Sequence, residues 1–477
     1  MPLILASNSA SGGYNVANSL RFNSGSSDYL NRTPASAGNR QIFTVSLWTK
    51  INGNTSRQVL FWTPTSSSTF AFFDSGELRF GAGDGADWYY VPTQLFRDPS
   101  AWYHLVFAVD TTQATATNRV KLYVNGSQIT SFSSTTNPTQ NLSSAWNNNA
   151  IHYMGAGYDG GITYYYGGYM SEFYNIDGQQ LTPSSFGETD PATPSSGIWV
   201  PKAYTGSFGT NGFYLQFKNS AALGTDSSGN GNTFTVNNLT SVDQSTDTPT
   251  NNFATLNPLA NFRAGATLTE GNLKASLTTT KAGVPATVGV STGKWYWENK
   301  IDTLPVDGRF GIGIVPFEPV EADDFYNANN KGIGLSGFNS IIYASGTGIN
   351  DFYGNATGRW SGFTGIIGVA LDLSSGTKTI AMSRDGAWIT GSNTTDSVFA
   401  NALKVDITSY VNAYDFWNPI IGSSNGSSTT GVISLNFGSP SFTIASGNTD
   451  GAGFGNFEYA VPSGYYSLNT KNLANFG

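Results

Sequence analysis

The sequence predicts an all-β protein: two antiparallel, jelly-roll-like β-sandwiches in tandem. Three observations carry that prediction. Apolar side chains recur with a period of two, the spacing of a pleated strand with one buried face, and no stretch keeps a 3.6-residue period for three turns. Asn-Gly and Asp-Gly pairs punctuate the chain, and such pairs supply the positive-φ positions of two-residue hairpin turns. Aromatic residues make up 14% of the chain, glycines number 56 and charged residues reach only 11%, which suits half-buried strands and tight turns better than long helices.

The elements follow in order. In 102–110, Tyr103, Leu105, Phe107 and Val109 share one face, with His104 and Ala108 on the other. Val120, Leu122 and Val124 alternate with Lys121 and Tyr123 and run into Asn125-Gly126, a hairpin turn signal. Further pairs stand at Asn52-Gly53, Asp84-Gly85, Asp159-Gly160, Asp177-Gly178, Asp307-Gly308, Asp385-Gly386 and Asn425-Gly426. Strand patterning returns in Phe213-Tyr214-Leu215-Gln216-Phe217.

At 477 residues the chain is too long for a single core. The expected division is an N-terminal arm over 1–18, a first sandwich over 19–245, a polar linker over 246–260, a second sandwich over 261–445 and a C-terminal extension over 446–477. The Pro-containing stretch 189–197 reads as an extended surface crossing, and 190–240 as a segment returning to finish the first sandwich.

Charge and composition exclude several classes. The net charge is 23 minus 31, or −8, with the acids scattered, so a phosphate backbone or an anionic membrane would be repelled. There are no cysteines, which removes disulfides and thiolate metal sites, and only two histidines, His104 and His152. No run approaches a membrane span, and Met1-Pro2-Leu3-Ile4-Leu5-Ala6 lacks a basic leader, so the expectation is synthesis in a host cytoplasm without a signal peptide and no membrane insertion.

Several segments taken together resemble known families. Ser19-Leu20-Arg21-Phe22-Asn23 with Asp28-Tyr29-Leu30, Phe43-Thr44-Val45-Ser46-Leu47-Trp48, Trp102-Tyr103-His104-Leu105-Val106, Val120 to Gly126 and Gly168-Tyr169-Met170-Ser171-Glu172-Phe173-Tyr174-Asn175 resemble laminin-G-like domains of the concanavalin A-like lectin superfamily. The second half resembles a SPRY domain, through Gly293-Lys294-Trp295-Tyr296-Trp297-Glu298, Phe310-Gly311-Ile312-Gly313-Ile314, Ile367 to Asp372, Ile380 to Gly386 and Ile433-Ser434-Leu435-Asn436-Phe437-Gly438. SPRY domains bind ligands through loops, which would place recognition in 317–330 and 345–360, with Trp295, Trp297 and Trp388 in the core. The pairing of these modules, with the ending Tyr459 to Leu473, resembles marine bacteriophage structural proteins of the tail-fibre or capsid-associated kind. That resemblance implies a homo-oligomer exposed on a virion, with other virion proteins and host-surface glycans as partners and no nucleic acid. A capsid decoration or cementing protein, a bacterial surface adhesin and a β-sandwich glycoside hydrolase remain alternatives.

Candidate sites follow from side-chain chemistry. Laminarinase-type hydrolases of the superfamily carry Glu-x-Asp-x-x-Glu on one strand, and no such string occurs; the nearest, Glu321-Ala322-Asp323-Asp324, lacks a third acid at the right spacing. No catalytic residues are assigned. Sugars pack C–H faces on aromatic rings and offer hydroxyls to Asp or Asn, so two loops qualify as ligand-binding. One carries Asp84, Asp87, Trp88, Tyr89 and Tyr90, and the other Tyr158, Asp159, Tyr164 and Tyr165. The alternative for both is rings packed in the core or over sheet edges. Asp226, Ser228 and Asn230 before Gly231 echo the start of a Ca2+ loop, but Asn237 occupies the twelfth position where a bidentate acid belongs, so a plain turn is the rival reading. Apart from Ca2+, no cofactor is implied.

Overall fold

The computed structural model describes residues 13–53, 56–83, 87–261, 265–277, 282–304, 310–316, 331–337, 339–351, 360, 362–374, 376–391, 394–423 and 430–477. The chain is nearly all β and forms two compact units that divide between Asn252 and Phe253. Among the described residues only two α-helices occur, Thr408–Val411 and Thr470–Phe476, and no helix is long and apolar enough to cross a membrane.

In the first unit two eight-stranded sheets face each other. The long strands of the first sheet are Ile42–Lys50, Trp102–Asp110 and Tyr169–Asp177, with Ile42–Lys50 pairing antiparallel with both of the others. The second sheet runs through Trp88–Pro92, Glu77–Ala82, Thr69–Asp74, Gln58–Thr63, His152–Met154 and Tyr29–Arg32. Leu105, Phe107 and Val109 enter the shared core with Phe61, Ala71, Phe80, Val120 and Leu122, as their alternation requires. Fully burying one such side chain is worth about 1.5–3 kcal/mol, so this interface contributes strongly to the stability of the first unit. The turn after Val120–Val124 forms as expected, with Asn125 at φ 47 and Gly126 at φ 82.

The opposite face of the first sheet is buried too. Val106, Ala108 and Tyr123 lie with Tyr174, Ile176, Phe186 and Tyr214 in a second cluster. Phe213–Leu215 pairs with Tyr169–Asp177 in the first sheet, and Thr235–Asn237 pairs with Tyr29–Arg32 in the second. The chain after residue 190 thus returns to this sandwich. The 189–197 stretch is not an extended crossing: Gly187–Thr189 pairs with Trp199–Pro201, so it closes a hairpin, with Asp190 N–H donating to Ile198 O at 2.7 Å.

The stretches read as an N-terminal arm and a polar linker are both packed. Tyr14 donates its hydroxyl to buried Glu172 at 2.9 Å, and Val16 is 4% exposed, so the described end of the N-terminal arm is held on the sandwich. Glu172 occupies a bulge at φ 50 and also accepts Tyr174 at 2.7 Å and Tyr214 at 2.6 Å; burial raises its pKa. The polar stretch expected to be a linker is buried as well. Asp247 accepts Lys50 Nζ at 2.8 Å and Trp102 Nε1 at 3.0 Å, with both charged side chains 1% exposed. Polarity there serves internal hydrogen bonding rather than solvation.

The second unit pairs a ten-stranded sheet with a six-stranded one. Lys294–Thr303 is central to the larger sheet, between Ile366–Asp372 and Gly431–Asn436, and Ile366–Asp372 pairs next with Thr379–Arg384. Trp295 and Trp297 are fully buried and Trp388 is 4% exposed, so all three belong to the core. The C-terminal extension is integral to this unit. Tyr466–Ser467 adds a parallel strand beside Lys294–Thr303, and Phe457 and Tyr465 pack on Tyr296 and Trp388. Buried Glu298 accepts the backbone N–H of Glu458 at 3.1 Å and of Tyr459 at 2.8 Å. Glu321, Asp323, Asp324 and the 317–330 loop lie outside the described residues, as does 352–359 of the second expected loop.

Candidate functional site

The second sheet of the first unit turns a row of aromatic side chains away from the core. In Thr69–Asp74 the alternation sends Ala71 and Phe73 inward and Phe70 and Phe72 outward, and Trp62 joins them from the neighbouring strand. Trp62 stacks on Phe70 with ring centroids 5.0 Å apart. Tyr153 flanks Trp62 on the next strand, where the two are directly paired. This cluster is nearly closed to solvent, Trp62 being 3% exposed and Phe72 4%.

Over this base lies a groove of ≈ 600 Å³, bordered by Arg57, Glu77, Arg79, Tyr89, Val91, Ser133, Ser134, Tyr158, Asp159 and Tyr164. Glu77 and Arg79 share the outward face of Glu77–Ala82, and Arg79 Nη2 sits 2.9 Å from Glu77 Oε2. Arg57 stacks between rings, its guanidinium carbon 4.6 Å from the Phe72 centroid and 4.8 Å from that of Tyr164. Its Nε is 3.8 Å from Asp74 Oδ2. Ser134 Oγ donates to the Tyr89 hydroxyl at 3.0 Å, which lowers the pKa of Tyr89.

The hairpin of Gly157–Tyr158 and Ile162–Thr163 forms one bank, turning at Asp159-Gly160 with Gly160 at φ 67. Tyr158 is 40% exposed and lies parallel to Tyr153 at 6.5 Å. The Tyr164 hydroxyl donates to Asp159 Oδ2 at 3.1 Å. Of the buried indole N–H groups without a hydrogen-bond partner among the described residues, that of Trp62 alone belongs to a residue bordering the groove.

The two loops singled out by sequence therefore converge, but only in part. Tyr89, Tyr158, Asp159 and Tyr164 border one groove. Trp88 and Tyr90 do not: they are 0% and 4% exposed in the core. Along Trp88–Pro92 a pleated strand presents only alternate side chains to one face, so of three consecutive rings only Tyr89 points outward. Tyr165 packs against Tyr29 and donates to Ile162 O at 3.2 Å, away from the groove lining. Asp87 is exposed beside Gly83, and Asp84 lies outside the described residues.

Asp226, Ser228 and Asn230 do meet, as a hydrogen-bonded turn. Asp226 Oδ1 accepts the N–H groups of Tyr214 at 2.9 Å and Ser228 at 2.8 Å; Oδ2 accepts Ser228 Oγ and Asn232 N, each at 2.8 Å. Asn230 turns its amide nitrogen inward to the carbonyls of Gly209 and Gly212. A Ca2+ ion needs free oxygens converging on one point, and here both carboxylate oxygens are already committed to N–H and O–H donors. These residues do not fit the ion.

Sequence reasoning missed Arg57, Trp62, Phe70, Phe72, Glu77, Arg79 and Ser134. A signal was present: Leu60-Phe61-Trp62 and Phe70-Ala71-Phe72-Phe73 put apolar residues on both faces of their strands, which a solvated outer face does not call for.

Residues 24–185 match a laminin G model of the concanavalin A-like lectin/glucanases superfamily. The first unit has that lectin-like sandwich fold, and the groove lies on the outer face of one of its sheets. No curated protein matches the chain. Among solved structures the chain is similar to the heptameric SAP-like pentraxin from Limulus polyphemus, at 17% identity over 36% of this chain and 80% of that one, with a TM-score of 0.28. It is similar to domains LG4-5 of the mouse laminin alpha1 chain at 12% identity, covering 91% and 92% of the two chains with a TM-score of 0.29. The SPRY domain of human HERC1 is similar at 12% identity over 38% of this chain and 96% of that one, with a TM-score of 0.27.

Proposed function

We propose that the chain is a non-enzymatic carbohydrate-binding protein that holds a saccharide in the groove of its first unit and adheres to glycan-bearing surfaces. The carrying observation is convergence: Tyr89 from one sequence-predicted loop and Tyr158, Asp159 and Tyr164 from the other border a single open groove. Exposed Tyr158 offers a ring face to sugar C–H groups. Glu77, Arg79, Ser134 and Asp159 surround it with donors and acceptors for hydroxyls, the usual make-up of a ligand cleft. The match to a lectin superfamily supports the reading. The missing Glu-x-Asp-x-x-Glu string supports binding over hydrolysis.

The setting proposed for this adhesion is a bacteriophage virion surface carrying several copies of the chain, on the strength of the paired lectin-like and SPRY-like modules. Linked copies raise effective concentration, so modest single-site affinity suffices. A glycan array probed with the full chain tests the binding reading. Retention of a discrete set of glycans is expected, reduced at least tenfold by Tyr158→Ala with the thermal midpoint nearly unchanged, because that ring is largely outside the core. An array signal that survives Tyr158→Ala, or no signal at all, overturns it. Electron microscopy of labelled particles tests the location.

A further inference from the structure

We propose, on the reading that the groove is the saccharide site, that Glu77 and Asp159 act as a charge filter, so that the groove accepts uncharged saccharides and rejects uronates and sulfated sugars. Four charged side chains border the groove, Arg57 and Arg79 against Glu77 and Asp159, and their formal charges cancel. Both cations are already matched. Arg79 is ion-paired with Glu77 at 2.9 Å, and Arg57 is 3.8 Å from Asp74 with its flat guanidinium held between the rings of Phe72 and Tyr164.

An anionic sugar drawn to either guanidinium would sit beside Glu77 or Asp74, whose carboxylate already offsets that cation and would repel the sugar's own charge. It would also meet Asp159, which the Tyr164 hydroxyl holds on the groove bank, and a chain carrying net charge −8. A neutral sugar meets no such repulsion. The Arg79–Glu77 pair sets N–H donors next to carboxylate acceptors, and each sugar hydroxyl is donor and acceptor at once, so neighbouring hydroxyls can bridge the pair. Glu77 therefore does more than steady Arg79: with Asp159 it fixes the sign of the ligand.

Affinity gel electrophoresis of the full chain through laminarin and yeast mannan, both uncharged, and through polygalacturonate and heparin, both acidic, tests this. Wild type should be retarded at least tenfold more strongly by a neutral polymer than by either acidic one. The Glu77→Gln/Asp159→Asn variant should gain at least tenfold for an acidic polymer, about 1.4 kcal/mol, and that gain should fade as salt is added. Equal or stronger retardation of wild type by the acidic polymers overturns the filter and leaves the groove reading standing, as does a variant that gains nothing for them. Retardation by none of the four removes the groove reading, and the filter with it.

Discussion

His104 is an imidazole held uncharged by its surroundings. It is fully buried and stacked on Trp48 at 4.8 Å, with Trp199 at its edge. Its Nδ1 accepts the Trp199 indole N–H at 2.9 Å, so the ring proton sits on Nε2 and is donated to Ser46 Oγ at 2.8 Å. A second proton has no acceptor there, and burial lowers the pKa from 6.5 to about 3. The unfolded chain takes up that proton near pH 6.5 and the folded one does not. Stability from His104 is therefore complete above pH 6.5 and is lost as pH falls towards the folded value. Replacing His104 by Gln removes this proton linkage. The variant should be less stable than wild type at pH 7 through lost packing, but the gap should shrink by about 2 kcal/mol between pH 7 and pH 5, from about 1.4 kcal/mol per pH unit of linkage less the rounding near pH 6.5. Urea unfolding of the full chain and the variant, followed by tryptophan fluorescence at pH 7, 6 and 5, measures the gap. A gap that stays constant refutes the neutral, buried imidazole. His152, lowered to about 4 mainly by burial, adds a loss of the same sign in wild type and variant alike. Glu172 and Glu298, whose pKa values burial raises, act oppositely, and they too cancel in the comparison.

Three further outcomes follow from the packing. Lys50→Met leaves the Asp247 carboxylate buried without its cation, which should cost about 3–5 kcal/mol in denaturant unfolding. Gly126→Ala puts a Cβ at φ 82 and 2.5 Å from the Trp199 ring, so a loss of about 1–3 kcal/mol and a lower thermal midpoint are expected. Glu298→Ala deprives the N–H groups of Glu458 and Tyr459 of their acceptor, and limited proteolysis should then cut within 446–477 faster than in wild type.

Local pattern made much of the fold legible. The period-two alternation in Trp102–Asp110 and the Asn125-Gly126 turn depend only on neighbouring residues, and both appear as read. The buried polar segments could not be read that way. Asp247 finds Lys50 and Trp102 from far along the chain, so its polarity resembles that of a solvated linker until the fold closes. The candidate site was half legible for the same reason. Tyr158 and Tyr164 stand out as rings in a glycine-bearing loop. Arg57 and Arg79 gain their meaning only when a folded sheet sets them beside Phe72, Tyr164 and Glu77. The mistake over Trp88 and Tyr90 was one of periodicity: the same strand that turns Tyr89 outward must turn its neighbours in.

The most direct test of the account is a crystal structure of the full chain with an oligosaccharide that the glycan array retains. The sugar should lie between Tyr89 and Tyr158, with hydroxyls within hydrogen-bond reach of the Arg79–Glu77 pair. A sugar seated in the loops of the second unit, with the groove empty, contradicts it.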